Sequence, residues 1–131
     1  MGRALWLLSL LGTALLFPGC GSSGPRTYPV SGSVLFDGKP LPEGDIILHA
    51  AQEDVGADAS KIKDGKYSFR AKAGKKKVVI LAAREVPGKR DPVMGPLLEN
   101  YIPTRYNDQT ILTAEVRESG ENRFDFQLEK K

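Results

Sequence analysis

Apolar and polar residues alternate in short runs along most of this chain. Residues 28–36 (YPVSGSVLF) put Tyr28, Val30, Gly32, Val34 and Phe36 on one face. A period of two sends successive side chains to opposite sides and predicts a β-strand. Residues 45–52 (DIILHAAQ) predict a second strand, with Ile46, Leu48 and Ala50 inward. Residues 53–58 read as a loop. A short strand near 59–63 then turns at Asp64-Gly65 and returns as 66–71 (KYSFRA), with Tyr67 and Phe69 inward. Asp37-Gly38 is a second tight-turn pair, because glycine accepts the positive φ that two-residue hairpins need. Pro40 and Pro42 exclude a central strand just after it. Residues 76–84 (KKVVILAAR) are nearly continuously apolar beyond their lysines, which predicts a central strand covered on both faces. The β-branched content and short length of that run disfavour a helix. Residues 111–117 (ILTAEVR) and 122–129 (NRFDFQLE) alternate again, as half-buried antiparallel strands do.

Residues 86–110 break the pattern. Pro87, Gly88, Pro92, Gly95, Pro96 and Pro103 disfavour a regular element there, and one helical turn is expected over Leu97 to Tyr101. Irregular segments of this length in a compact domain are often functional or mobile. Ile102 and Tyr106 are expected to pin the segment back onto the strands. Seven short strands without a long helix make an all-β domain of two facing sheets the economical packing.

The first twenty residues differ in kind. Arg3 precedes an uncharged, leucine-rich run from Ala4 to Phe17, and Pro18-Gly19 ends it before Cys20. Fourteen residues suit the apolar core of a signal peptide and fall short of the ~20 that span a bilayer as a helix. Cys20 is the chain's one cysteine, so an intramolecular disulfide is excluded. Its position resembles the bacterial lipobox, in which a cysteine after small residues is acylated. Gly19 fits that pattern, while Phe17 and Pro18 depart from it. The expected organisation is a signal peptide over 1–19, a lipidated cysteine and flexible linker over 20–27, and one β domain over 28–131. The resemblance implies a diacylglycerol thioether at Cys20. Two or three acyl chains hold a protein to a membrane stably.

Charge adds little. The 131 residues carry a formal net charge of +3, and the basic residues are not interleaved with aromatics as in nucleic-acid binders. Lys75-Lys76-Lys77 reads as a solvated strand entrance. The single histidine, His49, lies on the outer face of its strand, so neither a Ser-His-Asp set nor a metal ligand set converges on it. Asp54, Asp58, Asp64, Asp91 and Asp108 lie in or near loops without the alternating spacing of a calcium loop. No catalytic residue, metal or cofactor is therefore expected.

Several stretches together resemble small lipoproteins of planctomycete-type bacteria that carry a transthyretin-like or carboxypeptidase-regulatory-like domain. They are Val30-Ser31-Gly32-Ser33-Val34 with Asp37-Gly38-Lys39-Pro40-Leu41, Gly44 to Leu48, Asp64 to Phe69, Gly74 to Ile80, Ile102 to Asn107, and Leu112 to Val116. The resemblance covers about residues 28–128. It implies a seven-stranded antiparallel Greek-key β-sandwich of the prealbumin type and little about activity. The hydrolase branch of that fold uses several histidines and a C-terminal Tyr-Arg-Gly-Ser, which this chain lacks. The expected function is a non-catalytic binding or structural role in the cell envelope, on the periplasmic or cell-surface side. A membrane, an envelope protein or a glycan is the expected partner, and nucleic acid is not. The candidate binding surface is Arg84, Arg90, Tyr101, Arg105 and Tyr106, the other reading being that this segment only covers a sheet edge. The alternatives are a small-ligand carrier formed by oligomerisation and, below it, a hydrolase.

Overall fold

The computed structural model describes Gly19, residues 24–52 and residues 56–131. Cys20 and the expected signal peptide, apart from Gly19, lie outside the described residues. The described chain is all-β, with one 3-10 turn at Thr104–Tyr106. In order the strands are β1 (Thr27–Phe36), β2 (Lys39–Pro40), β3 (Glu43–Ala50), β4 (Ala57–Lys63), β5 (Lys66–Lys72), β6 (Gly74–Leu81), β7 (Ala83–Asp91), β8 (Gly95–Asn100), β9 (Thr113–Val116) and β10 (Phe126–Leu128). The main sheet runs β10-β1-β5-β4-β3-β6-β9, with β2 beside β1, and β7 pairs with β8 in a separate hairpin.

The two Asp-Gly pairs make the turns read from the sequence. Asp37 and Gly38 have φ of 49° and 78°, and Asp64 and Gly65 have 51° and 73°. Positive φ at both central positions matches the right-handed twist of the flanking strands. After the Lys63–Lys66 pair, β4 and β5 share no further ladder pair. The sheet therefore curls there into a half-barrel, with β10, β1 and β5 on one limb and β4, β3, β6 and β9 on the other. The inward residues of both limbs meet in one core, including Val34, Ile46, Leu48, Ile62, Ile80 and Leu128.

Gly32 sets how closely the first limb packs. A Cβ there would overlap the Phe124 carbonyl oxygen and lie 2.7 Å from the Tyr67 hydroxyl. Glycine's lack of a side chain lets residues 122–124 cross β1, where Ser31 N–H donates to Asn122 O at 3.0 Å and Phe124 N–H to Ser31 O at 2.9 Å. The Tyr67 hydroxyl donates to the same Phe124 carbonyl.

The structure corrects five expectations. Residues 86–110 are not irregular throughout: β7 and β8 form a hairpin, with a register shift between Glu85 and Arg90. Pro87 falls in that shift and Pro92 at the tip. In a two-stranded ribbon each strand has an outer edge where a missing N–H costs nothing. The helical turn expected over Leu97 to Tyr101 is instead mostly β8, since strand pairing supplies the backbone partners. β6 is not covered on both faces: Lys76, Val78 and Ile80 are buried, whereas Lys75 and Lys77 are exposed. Finally, β10 runs parallel to β1, while β9 pairs antiparallel with β6. The last two strands thus belong to opposite limbs. β1 also begins one residue before the expected domain start.

Strand directions give the half-barrel two distinct ends. Thr27 pairs with Lys72, Ala50 with Lys76 and Gly74 with Val116, so these residues share the end at which β1 enters. Leu81 and Leu128 close the opposite end, and the β7–β8 hairpin leaves from there.

Candidate functional site

The five residues expected to form a binding surface divide into three settings, around the far end. Arg84 on β7 pairs with Glu99 on β8 at 2.9 Å, and its guanidinium lies 5.4 Å from the centre of the Tyr101 ring. Tyr101 meets Phe36 edge-on, with ring centres 5.7 Å apart. An exposed ion pair of this kind contributes ~0–1 kcal/mol and mainly aligns the hairpin base.

Arg105 and Tyr106 hold the chain's last residues. The Arg105 guanidinium donates to the main-chain oxygens of Glu129 and Lys131 and stacks 4.7 Å from the Tyr106 ring centre. Tyr106 is buried at 7% exposure, and its hydroxyl accepts the Glu129 N–H at 3.1 Å. As part of the core, Tyr106 is not a surface residue. Ile102 is buried beside it, as the pinning expectation had it. Asn107 completes this corner: its buried amide donates to Ile102 O and Pro103 O, each at 3.0 Å.

Arg90 stands apart, exposed near the tip of the hairpin. There the Asp91 carboxylate accepts the N–H groups of Val93 and Met94, each at 2.8 Å. The Met94 bond first and then the Val93 bond hold that carboxyl below its ordinary range. The turn so ordered presents Val93 at 92% and Met94 at 87% exposure.

A different feature occupies the near end. Between the β6–β9 edge and residues 122–124 lies an open groove of about 840 Å³. Lys76, Ala114, Asn122 and Phe124 line it, together with Lys75, Lys77, Arg117 and Arg123 against Glu115 and Glu121. Lys76 is only 3% exposed. Strand alternation puts it on the same inward face as Val78 and Ile80. Its ladder neighbours are Ala50 on β3 and Ala114 on β9, two small side chains that leave room for a long one.

The electrostatics around Lys76 are partly spent. Asp58 faces the same interior from β4, opposite Leu48. Its carboxylate accepts the Lys72 N–H at 2.9 Å and the Lys72 ammonium at 3.0 Å. Burial pushes Asp58 up, but these bonds and the charges of Lys72 and Lys76 outweigh it, so the carboxyl sits below its ordinary value of 3.8. Lys76 takes part in none of the four ion pairs among the described residues. Arg123 is engaged by Asp125 at 3.3 Å. Asn122 is fixed at both ends of its amide, accepting the Arg117 N–H at 2.8 Å and donating to Arg117 O at 2.9 Å.

The triple-lysine run is therefore not uniformly a solvated strand entrance. Lys75 and Lys77 point outward, and Lys76 does not. Counting back by twos from Ile80 and Val78 would have found this from the sequence. The groove itself could not be read, because its far wall comes from residues more than 40 positions along the chain. His49 is exposed, as its alternation implied. Among the described residues no group of three or more His, Cys, Asp or Glu side chains converges on a metal position.

The chain matches no protein-family model and no curated protein. Among solved structures, a 9R-lipoxygenase from Cyanothece PCC8801 is similar at 11% identity and a TM-score of 0.44, over 82% of this chain and 17% of that one. The chain thus spans a small fraction of that enzyme's length, and a likeness this loose says nothing of activity.

Proposed function

We propose that this chain is an exported lipoprotein, held to a membrane through Cys20, whose β domain has a non-catalytic binding role in the cell envelope. One observation carries the reading. A fourteen-residue uncharged apolar run ends at Phe17, just before Pro18-Gly19 and the chain's one cysteine, and a Gly-Ser-Ser-Gly tether follows that cysteine directly. β1 begins at Thr27, seven positions after Cys20, so the tether reaches at most roughly 24 Å from the lipid. The end of the half-barrel that holds Lys76 and the groove then stands nearest the membrane. Among the described residues no helix is long and apolar enough to cross a membrane.

The finer fold reading is a Greek-key sandwich of the prealbumin type, as in the planctomycete-type lipoproteins that the sequence resembles. The seven-strand path and its bend between β4 and β5, into limbs of three and four strands, support it. The use of the perturbed ionisable groups favours a binding role over a catalytic one. Tyr67, its hydroxyl pushed well up by burial and then by Asp125, is tied to Phe124. Asp125 is held below its ordinary range chiefly by the Ser33 hydroxyl, at 2.9 Å. Asp58 is tied to Lys72. Each of these contacts joins one strand to another segment of the fold.

The test is export of the full chain in a bacterium with lipoprotein processing, followed by mass spectrometry and fractionation. The mature protein should begin at an acylated Cys20 and sediment with membranes, and Cys20→Ala should shift it to the soluble envelope fraction. An unmodified Cys20 thiol in the exported protein would overturn the anchor.

A further inference from the structure

We propose that the groove between the β6–β9 edge and Asn122–Phe124 binds an anionic ligand, a phosphate or carboxylate on a polar body, with the Lys76 ammonium as its counter-charge. The inference stands on the groove alone, so its failure would leave the lipid anchor at Cys20 untouched.

The Lys76 stem is buried, but no buried side-chain nitrogen or oxygen among the described residues lacks a hydrogen-bond partner, so its ammonium, in no ion pair there, emerges into the groove. Lys76 is 3% exposed and lies among apolar inward residues of β6. On the same face Asp58 feels the Lys76 charge but gives its hydrogen bonds to the N–H and the ammonium of Lys72. The groove is the remaining direction, and Lys76 lines it. The other charged groups there are mostly basic. Lys75, Lys77, Arg117 and Arg123 line it with Glu115 and Glu121, and Asp125, held by Ser33, engages Arg123. Such a surplus in a concave site focuses potential and favours anions.

The groove also has the build of a binding site. Its volume of about 840 Å³ falls within the range of ~300–1,000 Å³ typical of small-ligand sites. Asn122 is locked to Arg117 through both amide atoms, and Phe124 is anchored by its N–H to Ser31 and its carbonyl to Tyr67. The wall opposite Lys76 is therefore held in place before a ligand arrives. The half-buried Phe124 gives the uncharged body of the ligand an apolar surface. Fixed charges and a fixed wall reduce the ordering cost of binding.

Lipid headgroups and acidic envelope glycans both carry the required chemistry, and two soluble probes separate them. Glycerol 1-phosphate stands for the headgroup and trigalacturonate for the acidic glycan, with glycerol and maltotriose as uncharged controls. Calorimetric titration uses the full chain in a non-ionic detergent. At least one anionic probe should bind and neither uncharged probe should. Lys76→Met keeps the buried stem and removes the charge, and it should weaken binding about tenfold or more. Lys39→Met, exposed on β2, should leave binding unchanged. If Lys76→Met fails to fold, the Lys76 ε-methylene resonances of the wild-type protein take its place and should shift on titration. No binding of either anion up to about 10 mM, undiminished binding by Lys76→Met, or unmoved Lys76 resonances would each overturn the site.

Discussion

Gly32→Ala probes how the half-barrel closes along β1. Gly32 faces inward at the middle of β1, paired with Tyr67 of β5. It is not among the positive-φ glycines, so alanine suits the local backbone. Taken alone, that change stabilises by roughly 0.4–1 kcal/mol, through loss of freedom in the unfolded chain. The surroundings oppose it. The new Cβ overlaps the Phe124 carbonyl oxygen and crowds the Tyr67 hydroxyl, and those two groups are bonded to each other. Phe124 is also tied by its N–H to Ser31, so it cannot retreat without losing that bond. Overpacking costs about 1–3 kcal/mol, and weakening two hydrogen bonds costs about 0.5–1.5 kcal/mol each. The steric side wins, and the net loss should be about 3 kcal/mol. In a domain of this size the melting temperature should fall by roughly 12 °C. Urea and thermal unfolding, followed by circular dichroism, measure both quantities. Tyr67→Phe removes the same Phe124 hydrogen bond, so the double variant should lose less than the sum of the two single losses. An unchanged or raised midpoint for Gly32→Ala would refute the close-approach argument, and strict additivity would refute the shared contact.

Two further predictions concern the ends of the half-barrel. The Asp58 carboxyl lies below its ordinary value of 3.8 in the folded chain, so its contribution is present above about pH 4 and fades as pH falls through the folded value. Asp58→Asn should therefore be less stable than wild type at neutral pH, with the gap narrowing in acid; parallel stability–pH curves would count against the Lys72 pairing. At the other end, Tyr106→Ala removes a buried ring and the acceptor of the Glu129 N–H. It should cost about 3–5 kcal/mol and speed proteolysis within residues 83–110 and at the chain's end. Cleavage at the wild-type rate would show that the ring does not pin this corner.

The candidate site was less legible than the fold. Lys76 carries the same strand period that placed Val78 and Ile80, yet its charge and its two lysine neighbours disguised it as surface. Asn122 gave no local signal, because its value lies in bridging Arg117 across a turn. The β7–β8 hairpin was hidden for another reason. Its prolines argue against strands in a wide sheet, and only a two-stranded ribbon offers them outer edges.

The sequence by itself determined the all-β character, the two Asp-Gly turns, the inward faces of β1 and β3, and the uncharged apolar run that stops just before Cys20. These follow from period-two alternation, from glycine's access to positive φ and from local composition, all properties of neighbouring residues. Tertiary structure alone decided that β10 joins β1 in parallel while β9 joins β6. It also decided that the sheet bends between β4 and β5, and that Lys76 lines an open groove with Asn122 and Phe124. Those outcomes depend on pairings between distant segments, where the close approach at Gly32 and the room left by Ala50 and Ala114 set which surfaces can meet.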